Sequence, residues 1–252
     1  MNTKKNKLTN SEDGAMEQAY QNYKLLKEQV DLWQQERSSY WLKMLNMAEK
    51  PPYLPILDLP SDAIIELWQR LNQAAEVQIS DAKLKEMWQQ FKESQDIMDE
   101  KMSARFQMAV RGVAHLASQM ANEKKVSAPS FHDHGGITCP VCGEDSTLAV
   151  LAPPNGKRAM HCTLCGFEWE VNRIGCLHCG SEDAKQQIYL KNEAFPGIEM
   201  VVCQLCGQYF KEIDTRESLV QDYIWEDIRT LPLNFATELW LSEHAKKSDQ
   251  IH

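Results

Sequence analysis

Eight cysteines in the second half of the chain form four C-x-x-C pairs, and a glycine directly follows each pair. Two cysteines at this spacing in a tight turn direct both sulfurs to one side. Backbone N–H groups can then donate to the thiolates, and the glycine can adopt the positive φ that closes the turn. One pair supplies half of a tetrahedral site, so the sequence predicts two metal ions, zinc or iron. The predicted ligands are Cys139, Cys142, Cys162, Cys165, Cys176, Cys179, Cys203 and Cys206.

The intervals between the pairs predict which of them share a metal. They are 19, 10 and 23 residues long, and the short central interval indicates that the first pair joins the second and the third joins the fourth. Each long interval holds two candidate strands around a turn, which is the rubredoxin or zinc-ribbon arrangement. An interleaved cross-brace, with the first and third pairs on one metal, is the alternative. The strands are predicted at 147–151, 159–162, 187–190 and 199–203.

A dithiol oxidoreductase is the competing interpretation of these pairs. Its chemistry needs one exposed pair at a helix start beside a β-α-β pattern, and none of the four pairs is placed in that way. His161 and His178 adjoin the pairs, but four thiolates already complete each site, so we expect both to be solvated turn residues. Arg173 lies between the second and third pairs and is expected to offset thiolate charge.

The residues between the two cysteines of each pair include one conspicuous apolar side chain. These are Val141, Leu164, Leu177 and Leu205. They are expected either to pack against the rest of the protein or to contact a client protein, and the sequence leaves both possibilities open.

The first half of the chain has the periodicity of amphipathic helices. Start signals with capping hydroxyls occur at Pro60-Ser61 and Ser80-Asp81, whereas residues 1–12 are polar enough to fray. Four to six helices are predicted here, with the Trp and Met residues in their core. A polar linker over 122–138, which includes Phe131-His132-Asp133-His134, separates them from short strands broken by glycine.

The predicted fold class is α+β. An N-terminal all-helical domain over 1–125 is followed by two tandem rubredoxin-like or zinc-ribbon units and a C-terminal helix. The first unit falls within 126–180, and the second within 181–215 with ligands from residue 176. The helical tail covers 216–252.

Composition and charge restrict the class of partner. The chain is 43% hydrophobic and 25% charged, as is usual for globular proteins. Residues 126–252 carry 10 Lys/Arg against 18 Asp/Glu, a balance of −8, and two four-thiolate sites at −2 each would take it to −12. That charge argues against a nucleic-acid partner. The absence of about 18 consecutive apolar residues argues against membrane insertion, and the absence of an apolar segment after the basic N-terminus predicts a cytoplasmic protein.

The cysteine region resembles the FdhE family of formate dehydrogenase accessory proteins. The family pattern combines C-P-x-C-G, H-C-x-x-C-x-x-E-W-x-x-x-R-x-x-C-x-x-C-G and C-x-x-C-x-x-Y-x-K. The residues that match it outside the cysteines are His161, Glu168, Trp169, Arg173, Tyr209 and Lys211, and 227–233 resembles the closing helix of the family. The resemblance covers about residues 130–240, while the lysine-rich start and the tail after Trp240 depart from it.

The resemblance implies a maturation factor rather than an enzyme. Its expected partner is the catalytic subunit of respiratory formate dehydrogenase, which it would bind in the cytoplasm before export, and its expected fold is rubredoxin-like with iron or zinc. No catalytic triad, phosphate loop or cofactor fingerprint occurs in the sequence to suggest an enzyme. Two alternatives remain: a zinc-ribbon module that binds nucleic acid or the transcription machinery, and a rubredoxin-like redox protein.

Overall fold

The chain forms two compact units. The computed structural model describes residues 3–93, 100–126 and 136–245, so the predicted histidine motif at 131–134 lies outside the described residues. The two units are Met1–Ala121, here called the helical unit, and Asn122–His252, here called the sheet unit. The finer division of the second half at residues 180 and 215 stays a prediction. No helix in the described ranges is both long and apolar enough to cross a bilayer.

In the described part of the helical unit there are four α-helices, within the predicted number. The first begins at Thr3, inside the segment that is predicted to fray, and the fraying itself stays a prediction. The Ser80 hydroxyl accepts the Lys83 N–H at 3.3 Å and caps the third helix, as its start signal predicts. The Ser61 hydroxyl does not cap the second helix, because Pro60 occupies the N-cap position; it accepts from Nε1 of Trp88 at 2.8 Å. The helices are α1 Thr3–Trp41, α2 Ser61–Ala74, α3 Asp81–Lys92 and α4 Glu100–Glu123, with 3₁₀ turns at Leu42–Met44 and Ile56–Asp58.

Aromatic side chains form the core of the helical unit. Trp68 and Trp88 are almost wholly buried, and their rings lie 4.8 Å and 5.9 Å from the ring of Phe106 between centroids. The prediction that the Trp residues of this half are core is confirmed at these positions. The same prediction for the Met residues is wrong for Met16 and Met44, which are about half exposed.

The sheet unit contains one six-stranded sheet with the order β3-β2-β1-β6-β5-β4. The predicted strands are present to within two residues at their ends, but β3 and β6, which follow the second and fourth cysteine pairs, were not predicted. β3 has only 3 residues, and β6 carries the charged residues Lys211, Glu212 and Asp214, so neither has the apolar pattern of a buried strand. The strands are β1 Leu148–Ala152, β2 Lys157–His161, β3 Glu168–Glu170, β4 Gln187–Lys191, β5 Ile198–Cys203 and β6 Tyr209–Asp214, and the 3₁₀ turn Ala184–Gln186 precedes β4.

The sheet consists of two antiparallel ribbons with the same internal order. In each ribbon a cysteine pair precedes the first strand, and a second pair separates the second strand from the third. We call β1–β3 the first ribbon and β4–β6 the second ribbon. They are joined by the parallel pairing of β1 with β6, from Leu148 opposite Lys211 to Leu151 opposite Asp214. The two rubredoxin-like units therefore share one sheet.

Up to Ala245, where the description of the chain ends, the C-terminal segment covers one face of this sheet with two helices rather than the single one predicted. They are α5 Tyr223–Arg229 and α6 Leu231–Ala245, and Thr230 separates them. The apolar core on this face includes Leu148 and Ile213 of the sheet and Leu233 of α6. Because side chains alternate along a strand, the same face also carries polar residues that reach the helices.

A buried ion pair joins the two ribbons on the opposite face. Nε of Arg158, on β2, lies 2.7 Å from Oε2 of Glu212, on β6, and the two side chains are 0% and 4% exposed. Nη1 of Arg158 also donates to the carbonyl of Asn172 at 3.3 Å. The Arg158 guanidinium lies 5.1 Å from the ring centroid of Phe210. Burial raises the pKa of Glu212, and the neighbouring Arg158 opposes that shift.

We predict that Glu212→Gln destabilises the sheet unit, because it leaves the Arg158 charge buried without a counterion. The expected loss is about 3–5 kcal/mol in the free energy of unfolding. Hydrogen exchange of peptides from β1 and β6 measures it. The matched control is Glu170→Gln, which removes the partner of Lys157 in a pair whose side chains are 58% and 70% exposed and should cost under about 1 kcal/mol. Equal effects of the two substitutions would contradict the prediction.

Candidate metal centres

Each cysteine pair lies in a turn with the same backbone hydrogen bonds. The N–H of the first cysteine donates to the carbonyl five residues later, and the glycine N–H donates back to the carbonyl of the first cysteine. All eight N···O distances are 2.8–3.0 Å. The glycines have φ of 68–82°, in the left-handed region that other residues rarely adopt, as predicted. We call these turns knuckles 1 to 4; their glycines are Gly143, Gly166, Gly180 and Gly207.

The knuckles bring the eight sulfurs into two clusters with the pairing that the intervals predict. Knuckles 1 and 2 contribute Cys139, Cys142, Cys162 and Cys165 to the first centre, and knuckles 3 and 4 contribute Cys176, Cys179, Cys203 and Cys206 to the second. In each, all four sulfurs lie within 4.8 Å of one another. The cross-brace is therefore wrong, because it would place sulfurs of knuckles 1 and 3 together.

The sulfur separations fit a tetrahedral metal site. Sulfur–sulfur contacts between knuckles measure 3.5 and 3.6 Å in the first centre and 3.6 and 3.9 Å in the second. A metal at about 2.3 Å from each of four sulfurs separates them by about 3.8 Å. A disulfide would instead require a sulfur–sulfur distance of about 2.05 Å. Within the described parts of the chain, these two are the groups of Cys, His, Asp or Glu that could hold a metal ion.

The electrostatics of the first centre call for a cation. Contacts with the neighbouring thiols, that with Cys139 being the strongest, lower the pKa of Cys162 far below its ordinary value. Contacts with Cys139 and Cys162 raise the pKa of Cys142, and contacts with the other three cysteines raise the pKa of Cys165. Without a cation the cluster thus favours one thiolate shared among thiols. Four thiolates can coexist there only when a metal ion supplies positive charge.

The second centre has the same geometry and a more open environment. Cys179 is exposed and Cys206 is half-buried, whereas all four cysteines of the first centre are buried. Burial opposes ionisation of Cys203, but hydrogen bonds from the N–H groups of Cys206 and Leu205 outweigh it and lower the pKa to about 7. Burial raises the pKa of Cys176. The donors fit zinc or iron in this centre as in the first.

The two histidines beside the knuckles bind other groups. Nδ1 of His161 lies 3.0 Å from Oε1 of Glu168, and its ring packs at 4.8 Å from that of Tyr223 on α5. Nε2 of His178 lies 3.2 Å from the carbonyl of Tyr209. Neither histidine belongs to a candidate metal group. The expectation of a solvated residue is wrong for His161, which is 8% exposed.

The remaining residues of the motif hold the knuckles in place. Nε1 of Trp169 donates to the carbonyl of Gly136, just before knuckle 1, at 3.1 Å. Tyr209 and Lys211 project from one face of β6, and each reaches a C-terminal helix: the Tyr209 hydroxyl donates to Glu238 at 2.9 Å, and Nζ of Lys211 lies 2.6 Å from Asp227. Arg173 favours the charged forms of two carboxylates on β6, Glu212 and Asp214, and the expectation that it offsets thiolate charge stays a prediction.

The apolar residues inside the knuckles differ in exposure. Val141 and Leu177 are buried, Leu164 is half-buried, and Leu205 is 66% exposed. The Leu177 carbonyl accepts the N–H of Gly136 at 3.1 Å, so knuckle 3 packs beside the segment that leads into knuckle 1. Packing therefore accounts for Val141 and Leu177. It does not account for Leu205.

We predict that Cys142→Ser removes one metal ion per chain and destabilises the sheet unit while leaving the helical unit folded. The three remaining thiolates hold the ion poorly, and metal binding contributes directly to the folding of such sites. Elemental analysis measures the first effect. Far-ultraviolet circular dichroism measures the second, since the α1–α4 signal should persist. Loss of the whole helical signal would show that the helical unit depends on the sheet unit.

The family model and the curated proteins that this chain resembles are all described as FdhE. Residues 138–173, which contain knuckles 1 and 2 and the first ribbon, match the model of the FdhE central domain. An FdhE homologue of Shewanella baltica (strain OS223) is 29% identical over 123 residues, 48% of this chain and 38% of the relative. FdhE of Escherichia coli O1:K1 / APEC is 28% identical over 123 residues, 48% of this chain and 40% of the relative. The matches thus span about two fifths of the length of these relatives.

A solved structure shares the fold. The crystal structure of the FdhE protein from Pseudomonas aeruginosa has a TM-score of 0.52 and 19% identity, and the match covers 70% of this chain and 67% of that one. The likeness at this identity concerns the fold alone. The family model and the curated relatives confirm the resemblance predicted from the motifs: the cysteine-rich region of this chain is similar to that of FdhE proteins.

Proposed function

We propose that this chain is an accessory protein for the maturation of respiratory formate dehydrogenase. It acts in the cytoplasm by binding the catalytic subunit of that enzyme, and it is a binding protein rather than an enzyme. The observation that carries the proposal is the pair of four-cysteine centres within one sheet, in a chain that matches the FdhE central domain. The proposal extends to the whole chain a role that the family resemblance implies.

The eight cysteines are the proposed ligands of two metal ions, zinc or iron. A bound divalent ion supplies the positive charge that lets four thiolates share one small volume. The chain itself supplies the turn geometry through the knuckle hydrogen bonds, and it supplies the spacing of the knuckles through the strand pairing. Metal loading thereby fixes the sheet unit in the shape that a client would recognise.

A protein client fits the charge of the sheet unit better than nucleic acid does. Residues 126–252 carry 10 Lys/Arg against 18 Asp/Glu, and metal-bound thiolates add further negative charge. Affinity for nucleic acid depends chiefly on basic side chains that neutralise phosphates. Knuckle 4 offers the kind of surface a protein would contact, since Leu205 is exposed there and Gln204 and Gln208 beside it are exposed and uncharged.

We predict that the affinity-tagged, metal-loaded chain captures a formate dehydrogenase catalytic subunit from anaerobically grown cells. The measurement is mass spectrometry of the eluate. A chain with Cys142→Ser and Cys179→Ser together, which lacks one ligand in each centre, is the control and should recover none. Recovery of RNA or ribosomal proteins in place of the subunit would overturn the proposal and favour the zinc-ribbon alternative.

We further predict that Leu205→Asp weakens this capture at least about tenfold while leaving the melting temperature unchanged, because an exposed leucine contributes to a contact rather than to the core. The matched substitution is Leu177→Asp. It buries a charge at a side chain that is 1% exposed and should lower the stability by several kcal/mol. Undiminished capture by Leu205→Asp would remove knuckle 4 from the client interface.

A rubredoxin-like redox function is the second candidate. It is favoured by the tetrahedral sulfur geometry, which accepts iron as readily as zinc, and by the exposure of the second centre. An iron-loaded protein would show a visible sulfur-to-iron absorption band that bleaches on reduction. A redox function requires that reoxidation restores the band and that the protein loses no metal in the cycle.

A further inference from the structure

The two metal centres share their ligands and their turns but differ in how closely the protein encloses them. Cys139, Cys142, Cys162 and Cys165 are between 0% and 3% exposed. In the second centre, Cys176 and Cys203 are equally buried, but Cys206 is half-buried and Cys179 is exposed. The second centre is therefore open to solvent on the side of Cys179 and Cys206, the second cysteines of knuckles 3 and 4.

The repeated architecture makes Cys142 and Cys179 a matched pair. Each is the second cysteine of the knuckle that opens its ribbon, and each lies three residues after a buried cysteine whose backbone makes the same two hydrogen bonds. They also contact equivalent sulfurs across the centre: Sγ of Cys142 lies 3.5 Å from Sγ of Cys162, and Sγ of Cys179 lies 3.9 Å from Sγ of Cys203. Local geometry is thus shared, and the difference between them is exposure.

Exposure decides how a thiolate ligand can be replaced. An incoming donor must approach the ligand it displaces, and at a buried centre that approach requires local opening of the fold, which costs free energy. At Cys179 no opening is needed. Leu205, which precedes Cys206 in the chain, is an exposed apolar side chain against which an incoming molecule can pack.

We propose that Cys179 is the exchangeable ligand of this protein, the position at which an external thiol takes the place of a cysteine on the metal. This inference rests on the proposed role of the eight cysteines as metal ligands. In the exchange the incoming thiol loses its proton as its sulfur bonds to the metal, and the departing Cys179 thiolate takes up that proton. Charge and metal oxidation state are unchanged. The first centre then serves as the fixed structural site, and the second as the site open to an external sulfur ligand.

The test is competitive labelling of the zinc-loaded full chain with iodoacetamide, a small neutral reagent that alkylates a cysteine when it leaves the metal. Peptide mass spectrometry follows each cysteine with time. We expect Cys179 to be alkylated first, about tenfold or more faster than Cys142. Addition of dithiothreitol, a small thiol, should release the zinc of the second centre before that of the first. Alkylation of Cys142 at the same rate as Cys179, or of any first-centre cysteine before it, would overturn the inference.

Two further measurements separate this inference from the metal proposal. Zinc is counted before labelling: fewer than two ions per chain would refute the proposed ligand set, whereas two ions with equal labelling rates would refute only the exchange at Cys179. Cys179→Ser, compared with Cys142→Ser, gives a second arm. In Cys179→Ser the remaining zinc is in the first centre, and dithiothreitol should release it as slowly as it releases first-centre zinc from the unaltered protein. In Cys142→Ser the remaining zinc is in the second centre and should be released at the faster rate of that centre. The reverse assignment of the two phases would also contradict the inference.

Discussion

Four thiolates crowded into one small volume repel one another, and this repulsion is the constraint that most of the sheet unit serves. The sulfur contacts of 3.5–3.9 Å leave room for a metal ion and are too long for disulfides. The pKa values in the first centre are driven apart, with Cys162 favoured as the thiolate and Cys165 kept protonated. Only a cation reconciles four charges there. The knuckle turns, the hairpins that separate them and the buried contacts around them can all be understood as parts that hold four sulfurs at metal-binding distances.

The joining of two such centres into one sheet introduces a second requirement, because each ribbon has an edge that must be covered. The β1–β6 pairing meets it by parallel strand addition, which gives the ribbons a head-to-tail order. A buried ion pair reinforces this junction on one face, and a second ion pair ties β6 to the C-terminal helices on the other. Arg158 meets Glu212 on one face, and Lys211 reaches Asp227 of α5 from the other. Buried pairs of this type contribute little net stability when intact and cost much when broken, so they favour one arrangement of the ribbons over alternatives.

Short-range chemistry explains why much of the site could be predicted from the sequence. The turn geometry of C-x-x-C-G depends on neighbours within five residues, and the hairpins between knuckles depend on local strand pattern and turn residues. The grouping of Cys139 with Cys162, and of Cys176 with Cys203, followed from those intervals alone. The contact between ribbons could not be predicted in the same way. Nothing in the sequence of Lys211-Glu212 near the fourth knuckle indicates that both charges are buried, since their partners lie far away along the chain or on another element.

The exposure of each knuckle could not be predicted from the sequence either, although it bears most directly on the proposed function. Val141, Leu164, Leu177 and Leu205 occupy similar places in four similar turns, yet packing buries two of them and leaves Leu205 in solvent. The difference arises because knuckle 3 packs beside the segment at Gly136 that leads into knuckle 1. Duplication of a unit therefore does not duplicate its environment: the first centre becomes enclosed, while the second keeps an open side at Cys179. The same motif thus gives one enclosed centre and one accessible centre within a single sheet.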